Sequence, residues 1–251
     1  MGIPAGRRSP GPARGIFLTL EGSEGAGKTT QARLVADDLR GRGLDVVEVR
    51  EPGGTPIGEQ IRALLLDAHR REMAARAEML LFAASRAQLV AEVIAPALAA
   101  GRCVVCDRYV DASLAYQGVG RGLGIDVVRS VNQVATGGLV PDLTLLLDID
   151  VEIGLERARA ETGRAALAHA GGPSPRPGAL GTGSGDRMEQ EFLAFHRRVR
   201  EGFLTIAKNE PQRITVIDAR GSVTAVQGAI RQVVAQLLRG REGPGGGEGS
   251  R

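Results

Sequence analysis

Residues 16–30 read I-F-L-T-L-E-G-S-E-G-A-G-K-T-T, an apolar, strand-like run that enters a glycine-rich turn and ends in Lys28-Thr29. Gly22, Gly27, Lys28 and Thr29 fit G-x-x-x-x-G-K-[ST], the spacing of a phosphate-binding loop. The spacing has a physical cause. Glycines let successive backbone N–H groups curl around an anion without interference from Cβ atoms. A helix that starts near Lys28 points its positive end at the same anion. Lys28 can reach β- and γ-phosphates, and the Thr29 hydroxyl can hold Mg²⁺. Few folds accommodate strand, anion turn and helix in this order, so the motif constrains the rest of the chain.

That constraint agrees with the pattern downstream. Short apolar runs at 16–20, 45–49, 103–107, 143–149 and 214–217 read as strands. Helical periodicity fills the intervals at 28–41, 56–68, 73–100, 111–119, 125–137, 151–161, 187–208 and 223–238. Strands alternating with helices predict a mostly parallel five-stranded sheet covered on both faces, a three-layer α/β/α domain. A chain of 251 residues suits one such domain, over 15–239. Residues 1–14 and 240–251 are rich in Gly, Pro and Arg without apolar periodicity and read as disordered tails. The Gly/Pro-rich segment 165–185 interrupts a lid region at about 151–190 and reads as a mobile insertion.

Composition narrows the function classes. The formal charge is +3, too small an excess to argue for nucleic acid when a nucleotide-phosphate site also collects arginine. No hydrophobic leader opens the chain and no apolar run is long enough to span a membrane without charges, so a cytoplasmic, soluble protein is expected. Cys103 and Cys106 form C-x-x-C inside an apolar strand and read as inert core thiols.

Two further constellations follow strand ends. R-E-P-G-G-T at 50–55 is a turn that leaves Glu51 at a strand's carboxyl end, where ligands gather in open α/β sheets. Asp107-Arg108-Tyr109 follows the third strand, with Ser113, Tyr116 and Gln117 on the next helix. An aspartate there can act on Mg²⁺ or its waters, and Arg108 can clamp a second phosphate. Phe82 and Arg86 lie four apart on one helix face. Spacing alone leaves them as core residues or as a ring that stacks a base beside a guanidinium that reads it.

Taken in order, E-G-S-E-G-A-G-K-T-T, R-E-P-G-G-T, L-L-F-A-A-S-R, D-R-Y-V-D-A-S-L-A-Y-Q-G, P-D-L-T-L-L-L-D, G-L-E-R-A-R and D-R-M-E-Q-E resemble bacterial thymidylate kinases over roughly 16–218. The resemblance implies a P-loop nucleoside monophosphate kinase fold, ATP-dependent conversion of dTMP to dTDP, Mg²⁺ as cofactor and a homodimer. The dimer would form through long apolar helices such as 73–100, whose alternative role is packing on the sheet, with Pro96 kinking or ending the helix. No nucleic-acid or membrane partner is expected.

The same resemblance assigns residues. Gly22, Ser23, Glu24, Gly25, Ala26, Gly27, Lys28, Thr29 and Thr30 would surround the ATP phosphates, and Arg157 would lie against adenine. Thr29, Asp107 and Glu51 would stand near the metal. Glu24 would face the 3′-hydroxyl of dTMP, and Arg62 and Arg108 would hold its phosphate. Phe82 would stack on thymine and Arg86 would read its carbonyl edge. Ser113 and Gln117 would complete the base pocket, with Glu51 nearby, and Tyr116 would crowd the sugar C2′ side. Gly25 occupies the loop position that is basic in another type of these kinases. An arginine of the lid would then serve the transition state: Arg159 or Arg164 before the insertion, or Arg187 after it. Glu161 stands where a third lid arginine is common. Two other readings stay open: a P-loop nucleotide kinase with another acceptor base, and a P-loop ATPase or GTPase switch, although no guanine-reading N-K-x-D is present.

Overall fold

The structure, a computed structural model, describes residues 14–70, 72–169, 186–189 and 191–241, with backbone alone at 161–169. Strands β1 (Phe17–Gly22), β2 (Val46–Arg50), β3 (Cys103–Asp107), β4 (Leu143–Asp148) and β5 (Ile214–Asp218) form one sheet in the order β2-β3-β1-β4-β5. Every pairing is parallel. Parallel strands need crossovers, and the helices that supply them cover both faces. On one face α1 (Lys28–Gly41) and the last helix, α9 (Val223–Arg241), bury Leu18, Leu20, Leu145 and Leu147 with Val35, Leu39, Ile230 and Val234. On the other face, Phe17, Val104 and Cys106 meet the helix that begins at α3 (Ala75–Leu89). Beside it, Leu146 and Ile214 meet Phe195, Val199 and Phe203 of α8 (Leu193–Asn209).

β1 is central and all six of its residues are buried. Its pleat sends Leu18 and Leu20 to the α1 side and Phe17, Thr19 and Glu21 to the other. The same alternation separates the two cysteines. Cys103 packs in the α1 core and Cys106 in the α3 core, so the pair does not converge on a metal or form a redox couple. Burial pushes the Cys103 thiol up to about 11 and raises that of Cys106 well above its usual value.

Several element limits differ from expectation. The helix at 73–100 is continuous from Ala75 to Ala99, but Val90–Ile94 is a π-helical turn that leads into α4 (Ala95–Ala99). The wider turn takes up the lost N–H and ring bulk of Pro96, so the helix is re-phased rather than ended. By length and hydropathy this helix could cross a membrane. Here Leu89, Val90, Ile94, Ala97 and Leu98 pack on the sheet. The helix expected at 151–161 is α7 (Val151–His169), which carries the chain five residues into the segment expected as insertion. R-A-A-L-A-H is built of good helix formers, and only the Gly/Pro-rich part begins beyond it. α9 likewise reaches Arg241, just into the expected tail. The remainder of the expected insertion, 170–185, and the expected tails at 1–13 and 242–251 lie outside the described residues.

Candidate active site

The carboxyl ends of β1, β2 and β3 open on one cleft of about 1130 Å³. β1 delivers the loop Ser23–Gly27, and α1 starts at Lys28. Gly22, Gly25 and Gly27 all take positive φ, at 140°, 68° and 87°. A Cβ at Gly22 would stand 2.4 Å from the Leu147 carbonyl oxygen, and one at Gly25 would stand 1.8 Å from the Gly154 carbonyl oxygen of α7. The loop position that bears no basic side chain is thus also one where α7 leaves no room for a side chain. Lys28 Nζ donates to the Ser23 carbonyl at 2.7 Å. Burial and the nearby Arg108 lower its pKa to about 8.

Thr29 Oγ1 donates to Asp107 Oδ2 at 2.5 Å. This pairs a hydroxyl with a carboxylate beside the loop, a set of hard oxygens. Mg²⁺ is commonly bound by one or two carboxylates plus substrate phosphates, so the pair fits it. Among the described residues no cluster of three metal-ligating side chains exists. Glu51, expected beside the metal, accepts at Oε2 from Arg86 Nε at 2.7 Å, and only its buried Oε1 is left without a partner.

The turn after β3 places Arg108 in the left-handed region at φ 70°, a strained setting for a side chain that long. The surroundings over-determine it. Arg108 N donates to the Leu20 carbonyl at 3.0 Å, and Tyr109 N donates to Glu21 Oε1 at 2.7 Å. Held so, Arg108 reaches the Gly22 carbonyl at 3.0 Å and Glu24 Oε1 at 2.7 Å. Tyr116 Oη donates to the same Glu24 oxygen at 2.8 Å. Burial pulls the Glu24 carboxyl up, but Arg108 and Lys28 outweigh it and lower it to about 2. Glu21, not singled out in the sequence, is pushed up to about 8 by burial and Asp111.

Arg62, on α2 (Pro56–Leu66), lines the cleft. Thr55 caps this helix, its hydroxyl accepting from Gly58 N at 3.0 Å. Pro56 occupies the position where a missing N–H costs nothing. Arg62 donates to the Pro52 carbonyl at 2.8 Å and has no carboxylate partner among the described residues. Burial and Arg50 lower its pKa and outweigh the more distant Glu59, Asp186 and Asp107, which act the other way.

Phe82, Arg86, Ser113, Tyr116 and Gln117 all line the cleft. Arg86 is nonetheless 1 % exposed, and no N–H group of it is left over. Nε and Nη2 face Glu51 Oε2, Nη1 donates to Ser113 Oγ and Asn132 Oδ1, and Nη2 donates to the Tyr109 carbonyl. A base carbonyl would have to take one of these donors from its present partner. Gln117 lies on a π-helical stretch, Leu114–Gly120, that follows α5 (Val110–Ser113).

The lid arginines diverge. Arg157 donates to the Ala219 and Arg220 carbonyls at 3.0 Å each, in the loop after β5. Arg159 is exposed on α7, next to Ala158, which lines the cleft. Arg164 is on the same helix, its side chain outside the described residues. Arg187 is held at the far side: its Nε donates to the Leu65 carbonyl at 2.8 Å and Nη1 pairs with Glu78 Oε2 at 2.7 Å.

Sequence reasoning passed over Glu78, Asn132 and Asp186. Glu78 was within reach, because 78, 82 and 86 continue one helix face in steps of four. Asp186 opens the D-R-M-E-Q-E motif and lines the cleft, but the motif alone assigns it no role. Asn132 comes from an element distant in the chain and carries no local mark.

A family model described as thymidylate kinase matches residues 20–168. A thymidylate kinase of Synechococcus sp. (strain JA-3-3Ab) is 49% identical over 223 residues, which cover 89% of this chain and 97% of that one. One of Geobacter sulfurreducens is 49% identical over 220 residues, covering 88% and 96%. The crystal structure of thymidylate kinase from Ehrlichia chaffeensis superposes with a TM-score of 0.67 at 28% identity, covering 88% of this chain and 99% of that one. With the anion loop, the parallel sheet and the cleft at its carboxyl edge, these similarities show that the chain belongs to the thymidylate kinase family, kinases that phosphorylate dTMP.

Proposed function

We propose that the cleft brings the γ-phosphate of ATP and the 5′-phosphate of dTMP together and makes dTDP. The observation that carries this is a pair of cationic poles in one cleft. Lys28 stands in the anion loop at one, and Arg62, with no carboxylate partner among the described residues, stands at the other. A switch protein that only hydrolyses nucleotide has no use for the second pole.

Phosphoryl transfer needs in-line positioning and neutralisation of charge more than covalent help. The loop amides and Lys28 hold the donor phosphates. Thr29 and Asp107 would hold Mg²⁺, which when bound neutralises charge on the phosphates; Glu51 Oε1 is the one oxygen of that carboxylate left to assist. Arg62 binds the acceptor phosphate. Arg108, neutralised here by Glu24, shifts toward the phosphate when dTMP brings its own charge. Phe82 stacks the base, while Arg86 anchors Ser113 and the pocket wall. Tyr116 and Glu24 close on the sugar, with Glu24 Oε2 taking no hydrogen bond from the described residues. Arg157 lines the adenine end. Arg159, with Arg164 behind it on α7, supplies positive charge in the closed state in place of a loop arginine, the arrangement expected of the type with Gly25. The reading includes a homodimer and a cytoplasmic setting.

The test is ADP release with each deoxynucleoside monophosphate in turn. dTMP is expected to stimulate turnover far above the rest. Equal stimulation by dCMP would move the chain to another acceptor, and no stimulation by any would return it to a simple ATPase.

A further inference from the structure

Gln117 reaches the cleft, and an amide can offer a base either its N–H₂ or its carbonyl oxygen. Those choices select opposite partners. Thymine carries a hydrogen on N3, whereas cytosine has a lone pair there. What decides the choice lies behind Gln117, in a carboxylate that does not line the cleft.

That carboxylate is Glu78 of α3, fully buried. Gln117 Nε2 donates to its Oε1 at 2.8 Å. Arg121 grips both oxygens, Nε to Oε1 at 3.2 Å and Nη2 to Oε2 at 2.9 Å. Arg187 Nη1 adds a contact to Oε2 at 2.7 Å. Burial works against the charge, but Arg121 and Gln117 overcome it and keep Glu78 ionised. An ionised carboxylate only accepts hydrogen bonds, so the amide nitrogen of Gln117 must face it. The amide oxygen then turns the other way, and no described residue donates to it.

We propose that Glu78, gripped by Arg121 and Arg187, fixes the Gln117 amide with its oxygen toward the base, and so makes the site select a pyrimidine that carries a hydrogen on N3. Glu78 is a positioning residue: it touches neither substrate nor phosphate. The inference rests on the reading of this cleft as the dTMP site. It gives Arg187, at the start of the segment after residues 170–185, a role in base choice instead of phosphoryl transfer.

The test is Glu78→Gln, which keeps the side chain's shape but lets it meet Gln117 with an oxygen or a nitrogen. The kcat/KM ratio of dTMP to dCMP should narrow by about tenfold or more, ~1.4 kcal/mol for each tenfold, with the change in KM rather than kcat. Loss of packing alone would lower both acceptors together and leave the ratio unchanged, which would overturn the proposal. Should Glu78→Gln fail to fold, the wild-type enzyme supplies the measurement. With 5-fluoro-dUMP, whose N3–H ionises at lower pH than that of thymine, KM should rise as N3 loses its proton while KM for dTMP stays level. A KM for 5-fluoro-dUMP that tracks that of dTMP across the same range would contradict the amide's assigned sense. Wild-type enzyme inactive toward dTMP would instead sink the reading of the site itself.

Discussion

Arg86 and Lys28 show how burial changes what a charged residue can be asked to do. Arg86 pairs with Glu51 inside the protein, and the pair is closed by Ser113, Asn132 and the Tyr109 carbonyl. Removing one member leaves the other charged and unpaired, which costs about 3–5 kcal/mol. Arg86→Ala is therefore expected to lower stability in denaturant titrations by that order. Its loss of activity then reports a collapsed pocket wall more than a lost contact with thymine, and an unchanged midpoint would contradict this. Lys28 behaves differently. Its partner is a loop carbonyl, and its pKa is lowered to about 8, so the free enzyme loses this charge as pH rises through that value. kcat/KM for ATP, which reports the free enzyme, should fall above about pH 8. ATP brings anions that favour the protonated lysine, so kcat should fall only at higher pH. Lys28→Ala should abolish transfer with the circular dichroism spectrum retained.

At the scale of elements, the contact between the anion loop and α7 couples nucleotide binding to the lid. The chain approaches itself here backbone to backbone, since a Cβ at Gly154 would stand 2.4 Å from the Glu24 carbonyl oxygen. Gly154→Ala must push α7 off the loop. It is expected to raise Kd for ATP about tenfold, ~1.4 kcal/mol, without unfolding the protein, as isothermal titration with ATP would show. Arg159 rides on the same helix, so Arg159→Ala should act on kcat, by roughly 10³-fold if it serves the closed state, and leave KM for dTMP nearly unchanged. The loop and its helix were legible in the sequence because their demands are local: glycines where φ is positive, then lysine and threonine at the helix start. The strand ends that carry Glu51 and Asp107 were legible for the same reason. The Arg86 cluster was not, because Glu51 and Asn132 lie 35 and 46 residues away and only the folded sheet brings them together. The partner of Arg187 was hidden on the same ground: nothing near it in the chain announces Glu78.

For the whole molecule, the two faces of the sheet divide the work. α1 and α9 make an apolar layer with no part in base recognition, while the opposite layer holds Glu78, Arg86 and Gln117. The outer surface of that second layer is also where large apolar side chains stand exposed. Leu80 of α3 is 56% exposed, and Ile57 and Leu64 of the adjoining α2 are exposed as well. A homodimer through this surface is expected, and Leu80→Glu should shift sedimentation from dimer toward monomer; a wild-type monomer at micromolar concentration would remove the dimer from the account. Above all, one cleft should pass a phosphoryl group directly from ATP to dTMP. The most direct measurement is a single turnover with γ-³²P-labelled ATP and dTMP. Label is expected in dTDP in step with ADP, with little free phosphate. Label released as inorganic phosphate at a rate indifferent to dTMP would contradict it.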